Sequence, residues 1–166
     1  MQSIGLQITV GVEPQAKPEA SGYSPRAFTM PEWVRYRAGI LNSDIALETF
    51  VFLTRTLAAG ASEELILNNG SLADPTTAAV TFVNLKAVAV IVTDGDVGVR
   101  VGNAGTNPNA LWFGGTTHTW DVLAGGPPLV GGGSTVTVDG THCRVKVANL
   151  DGAAAVEYQI LLAGEV

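Results

Sequence analysis

"LKAVAVIVTDGDVGVRVGNAG", residues 85 to 105, holds the pattern that decides the fold. From Leu85 to Thr93 the residues are apolar on both faces apart from Lys86, which predicts a central strand covered on both sides. Asp94-Gly95 then supplies turn chemistry, because glycine takes positive φ without strain and aspartate tolerates it. Beyond the turn Val97, Val99 and Val101 alternate with Gly98 and Arg100, the period of a strand with one face on a core. The Asp-Gly pair is expected to close a hairpin. A hairpin also accounts for Asp94 and Asp96, since the further acids and the distal glutamate of a calcium loop are missing.

The same period of two recurs outward from this stretch. Phe50 and Phe52 alternate with Val51 and Leu53, Val136 and Val138 with Thr135 and Thr137, and Val156, Tyr158 and Ile160 with Ala155, Glu157 and Gln159. Asn69-Gly70, Asp139-Gly140 and Asp151-Gly152 fall between apolar runs, where turns belong. No stretch carries a helical period, and Thr76 to Val80 has room for one turn at most. An all-β domain follows: a single antiparallel β-sandwich of about eight to ten strands over residues 48–166.

Residues 1–47 read differently. Pro14, Pro18, Pro25 and Pro31 exclude a central strand or a regular helix there. Tyr23, Phe28, Trp33 and Tyr36 nonetheless give this proline-rich arm four aromatic rings, and Arg26, Arg35 and Arg37 add forked donors for carboxylates. Bound extended segments depend on such anchors. Tyr23, Arg26, Phe28, Trp33, Arg35, Tyr36 and Arg37 are therefore the candidate partner-binding residues. The arm is expected to order on a neighbouring subunit rather than on its own sandwich, in a homo-oligomer taken to be a trimer.

Composition narrows the function. Of 166 residues 46% are hydrophobic and only 14% charged, a sparsely charged exterior for a free monomer. The net charge is −6 and the nine lysines and arginines form no dense block, which disfavours nucleic acid and anionic membranes as partners. Cys143 is the single cysteine, so one chain has no disulfide and no cysteine-based zinc site. Its alternation with His142 and Arg144 places the thiol on the apolar face of a strand. The opening MQSIGLQITV lacks a basic n-region, and the apolar run Ala87 to Val92 is too short to span a bilayer. A soluble product of the cytosol is expected.

No catalytic, cofactor-binding or metal-binding residue stands out. Gly98, Gly102 and Gly105 do not have the spacing of a dinucleotide loop, and a turn rather than a helix follows them. His118 alternates with Trp120 and Val122 and is expected on a half-buried face. His142 points away from Cys143, which excludes a Cys-His pair on that strand. Trp120 is expected in the core, and Trp112 is left as a weak candidate for stacking on a glycan.

Three stretches carry a likeness to a known group: "FLTRTLAAGASEELILNNGSLADPTTAAVTFVNLKAVAVIVTDGDVGVRVGNAG", "LWFGGTTHTWDVLAGGPPL" and "CRVKVANLDGAAAVEYQILLAGEV". The Leu-Ala-Ala turn before an acidic strand, the "DPTT…VTF" segment, the "V-x-V-G-x-A" strand and the closing "VAN…Y-x-I-x-L-x-G" strand resemble small structural proteins encoded beside capsid and tail genes in tailed bacteriophages. The likeness spans residues 50 to 166. It implies a jelly-roll-like sandwich and a non-enzymatic virion component without cofactor. Capsid decoration is the leading role implied, a cement protein that binds and stabilises the major capsid protein shell. A tail or baseplate component with a host-glycan role is the alternative.

Overall fold

The computed structural model describes residues 48–166 and, before them, the strands Thr9–Val10 (β1) and Tyr36–Arg37 (β2), which pair antiparallel. The body comprises β3 (Thr49–Leu57), β4 (Ser62–Ile66), β5 (Leu72–Ala73), β6 (Ala79–Val80), β7 (Asn84–Asp94), β8 (Gly98–Gly102), β9 (Thr119–Leu123), β10 (Leu129–Thr137), β11 (Arg144–Asn149) and β12 (Val156–Glu165). No helix occurs among the described residues.

Eight of these strands form two antiparallel four-stranded sheets, ordered β10-β7-β12-β3 and β4-β11-β8-β9. Alternation fixes their inner faces. Val51, Val88, Val90, Tyr158, Ile160 and Leu162 from the first sheet join Leu65, Val99, Val101, Val122, Val145 and Val147 from the second in one buried cluster. The chain is thus all-β and sandwich-like, with a core contributed by both sheets. Burying each such aliphatic side chain contributes about 1.5–3 kcal/mol.

β7 has the central place that its two apolar faces imply, paired with β10 on one edge and β12 on the other. That placement corrects the hairpin expected at Asp94-Gly95. With both edges of β7 occupied, β8 has no edge to pair with, and the chain turns the corner into the opposite sheet. Gly95 still supplies the positive φ (126°) that the corner needs. The other Asn/Asp-Gly pairs also lie between strands, and Asp139-Gly140 and Asp151-Gly152 likewise join strands of different sheets.

Among the long strands, only β8 and β9 are both consecutive and paired. β9 lies unusually close: a Cβ on Gly98 would stand 2.3 Å from the Val122 carbonyl oxygen, and one on Gly102 would stand 2.5 Å from that of His118. These glycines are strand residues that permit close backbone approach. The connection between β8 and β9 is anchored by Asn109, which is buried. Its Nδ2 donates to the carbonyls of Thr137 (3.0 Å) and His142 (2.8 Å), while its Oδ1 accepts from the Leu111 amide. Asn149 serves the other end of the body, donating to Ala58 O (2.9 Å) and Ala154 O (2.8 Å). Both asparagines satisfy loop carbonyls that would otherwise be stranded without water.

Candidate interaction surface

Of the residues singled out for partner binding, Tyr23, Arg26, Phe28, Trp33 and Arg35 lie outside the described residues. Tyr36 and Arg37 enter only through their backbone pairing with Val10 and Thr9. The expected burial of Cys143 is observed.

The two tryptophans of the β8–β9 region reverse the roles expected of them. Trp112 is half-buried against the core, and its indole N–H donates to Ser134 Oγ (3.0 Å). Ser134 sits where β10 bulges out of register with β7 between Gly132 and Val136, and Gly131 leaves room for the ring. Trp120, expected in the core, is 55% exposed. Its phase is the inner one, opposite Val101, but β9 is an edge strand and the side chain overhangs the rim. Leu123 on the same strand is also 55% exposed. His118 is exposed rather than half-buried, since it precedes β9 and lies in the loop, with Nδ1 2.6 Å from the Phe113 carbonyl oxygen.

The charged groups are mostly engaged in short local pairings. Asp139 accepts from the Thr141 amide (2.7 Å) and hydroxyl (2.8 Å) and from the His142 amide, which pulls its carboxyl down to about 2. Glu64 accepts from the Gly105 amide (2.8 Å) and from Arg144 (2.9 Å), and those contacts hold it below the usual carboxylate range. Arg100 makes a bidentate pair with Asp121 at 2.7 and 2.8 Å. Among the described residues no group of three or more His, Cys, Asp or Glu side chains is placed to hold a metal.

Two features escaped the sequence pattern. The first is a polar link across the sandwich: the buried Tyr158 hydroxyl donates to Glu63 (2.8 Å), and Arg55 stands 3.9 Å from the same carboxylate. Burial first, and then Glu63, pushes the phenol well above its usual range. Arg55 shares a phase with Val51, Leu53 and Leu57, and Glu63 with Leu65. A charge in an apolar phase was the signal available.

The second is the outer face of the β10-β7-β12-β3 sheet. Register aligns Phe52, Leu161, Ala89 and Val130 across all four strands. Phe50, Ala163, Ala87 and Gly132 form the row on one side, and Thr54, Gln159 and Ile91 the row on the other. None of these positions is charged. Phe52 is 50% exposed, a large apolar ring on an open face. The outer face of the other sheet is of the opposite kind, with Ser62, Ala148, Arg100 and Asp121 in one row and Glu64 beside Lys146 in the next.

No protein-family model and no curated protein matches the chain. Among solved structures, a chain from Bacillus endospore appendages, described as a novel family of disulfide-linked pili, is similar at a TM-score of 0.36 and 12% identity. The alignment covers 71% of this chain and 89% of that chain. A likeness of that size carries no conclusion about fold or function.

Proposed function

We propose that the chain is a non-enzymatic structural protein of a tailed-bacteriophage virion, and that it decorates the capsid by binding and stabilising the shell of major capsid protein. The observation that carries this proposal is the outer face of the β10-β7-β12-β3 sheet, whose central rows are free of charge between Glu157 at one end and the Lys86–Glu165 pair at the other, a surface suited to shape-complementary contact with other protein. The resemblance across residues 50 to 166 supplies the class of particle.

A jelly roll is the fold proposed for the body. Three points of connectivity support it: eight long strands are split four and four, the first and last of them (β3 and β12) are neighbours, and consecutive long strands change sheets except at β8–β9. Folds of this type host many functions, so the role rests on the surface and not on the topology.

The tail or baseplate alternative draws on Trp120, the exposed indole, in place of Trp112. Adding purified chain to undecorated capsids tests the leading proposal. Saturable binding at fixed lattice positions in cryo-electron microscopy, with a raised capsid melting temperature, is expected. Density confined to the tail, or glycan binding lost on Trp120→Ala, replaces it with the alternative.

A further inference from the structure

We infer that Asn69 is a site of spontaneous covalent modification in the folded protein. The Gly70 amide nitrogen closes on the Asn69 side chain and converts the residue, through a cyclic imide, to aspartate or isoaspartate. The inference is independent of capsid decoration. Asn69 lies in the connection between β4 and β5, and both it and Ser71 are exposed. Gly70 sits at positive φ (72°) where the chain turns, and it has no Cβ to stand in the way of the incoming carboxamide.

Hydrogen bonding leaves the reacting atoms available. Among the described residues the Gly70 amide donates to no acceptor, so its nitrogen has no bond to give up. Asn69 Oδ1 accepts from the Ser71 amide (3.0 Å). That contact folds the carboxamide back toward its own backbone and draws electron density from Cγ, which makes Cγ the better electrophile. The step balances with water alone. The Gly70 nitrogen loses its proton to solvent base, the N–Cγ bond forms, the Cγ–Nδ2 bond breaks, and Nδ2 leaves as ammonia. Water then opens the imide at either carbonyl. One opening leaves aspartate, and the other leaves isoaspartate with an extra carbon in the backbone.

The other asparagines among the described residues are held or blocked. Asn109 and Asn149 are buried and bonded to loop carbonyls. Asn84 donates to Glu165 and precedes the fully buried Leu85 within β7. Asn68 donates to the Asp139 carbonyl (3.2 Å) and precedes a residue with a full side chain. Asn107 precedes Pro108, which has no N–H, and Asn103 precedes the buried Ala104. The Asp-Gly pairs present carboxylates, whose charge repels a nucleophile. The fold also makes the product matter. Leu67 and Leu72 flank the turn and are buried, with Leu67 bonded to Cys143 and Phe82 and Leu72 paired with Val80. Ends fixed on both sides leave no slack for the extra carbon of isoaspartate.

Ageing the native chain in mildly alkaline buffer tests the inference, read by isoelectric focusing, peptide mapping and released ammonia. A shift by a single negative charge is expected. Within residues 48–166, aspartate and isoaspartate should appear at position 69 alone, and faster as pH rises. Asn69→Gln should lose the acidic species, because its longer side chain closes a larger ring more slowly. Asn69 does not have positive φ, so this variant keeps the turn. Asn69→Asp, which carries the charge without the extra carbon, should melt above the isoaspartate fraction of the aged protein. Acidification that survives Asn69→Gln would overturn the inference. Conversion of residue 69 seen only after unfolding in urea would overturn it as well.

Discussion

β12 and β11 are both inner strands of a four-stranded sheet, and both bury one face on the common core. Away from the core they part. β12 turns Leu161 and Ala163 outward between the apolar residues of β3 and β7, whereas β11 turns Arg144, Lys146 and Ala148 outward beside Glu64 and Arg100. Backbone geometry is the same in the two sheets, so the difference lies in what each outer face meets. A lysine or glutamate on an outer position keeps its hydration and loses nothing, while a phenylalanine there gains only when something covers it. One sheet turns charged side chains to water. The other turns out a row of apolar ones, with Phe52 half-exposed.

Two adjacent residues of β12 give the largest test of that difference. Ile160 is fully buried on the inner face, and Ile160→Ala should cost about 2–5 kcal/mol in denaturant unfolding, independent of protein concentration. Leu161 faces outward and is only half-buried, so Leu161→Ala should cost about 1 kcal/mol in dilute solution. That cost should grow as the protein is concentrated and the face becomes covered. Equal and concentration-independent losses would erase the distinction between the faces.

Tyr158→Phe comes next. Removing the hydroxyl leaves the partly buried Glu63 with Arg55 alone, and a loss of about 1–2 kcal/mol is expected in the same assay. On the solvated face, Arg100→Ala breaks a well-formed bidentate pair, yet both side chains are largely exposed. The expected loss is small, less than that of Tyr158→Phe, and should shrink further in high salt. Salt should leave any binding through the apolar face intact or strengthen it. Weakening of both by salt would place the assembly contact on the charged sheet instead.

The smallest expected effect is at Asp139. Its carboxyl is depressed to about 2 in the folded chain against an ordinary value of 3.8. A depressed carboxylate contributes stability above the unfolded value, and the contribution is lost as pH falls through the folded one. Asp139→Asn should therefore narrow the stability difference from the parent between pH 4 and pH 2. A difference that persists unchanged to pH 2 would mean that the turn depends on its shape and not on its charge.

Much of the fold was legible because strand alternation is local. Tyr158 and Ile160, the buried Cys143 and the centrality of β7 all follow from residues two apart. Sheet membership is not local, and that is why Asp94-Gly95 looked like a hairpin: the same dipeptide serves a hairpin and a corner. Trp120 shows the limit of phase, which says which way a side chain points but not whether the opposite sheet extends far enough to meet it. The apolar outer face was half legible. Phe50 and Phe52 opposite Val51 and Leu53, and the run Ile160-Leu161-Leu162-Ala163, are apolar in both phases, as β7 is. Only the register showed that these outer residues align into one surface.

The junction at Glu48 has a consequence for how the molecule is made. Its partner Val166, whose amide donates to the Glu48 carboxylate, is 118 residues away, and among the described residues β3 has no sheet neighbour other than β12. As the chain leaves the ribosome, Thr49–Leu57 must wait until Val156–Glu165 has been synthesised before that edge is paired. Closing so large a loop places the chain among slow-folding β topologies. During that wait a strand bearing Phe50 and Phe52 is open on both edges, at the stage when nascent chains are most prone to pair with one another. Crowding on polysomes should therefore lower the yield of this protein more than its final stability would suggest, and slower synthesis at low temperature should restore it.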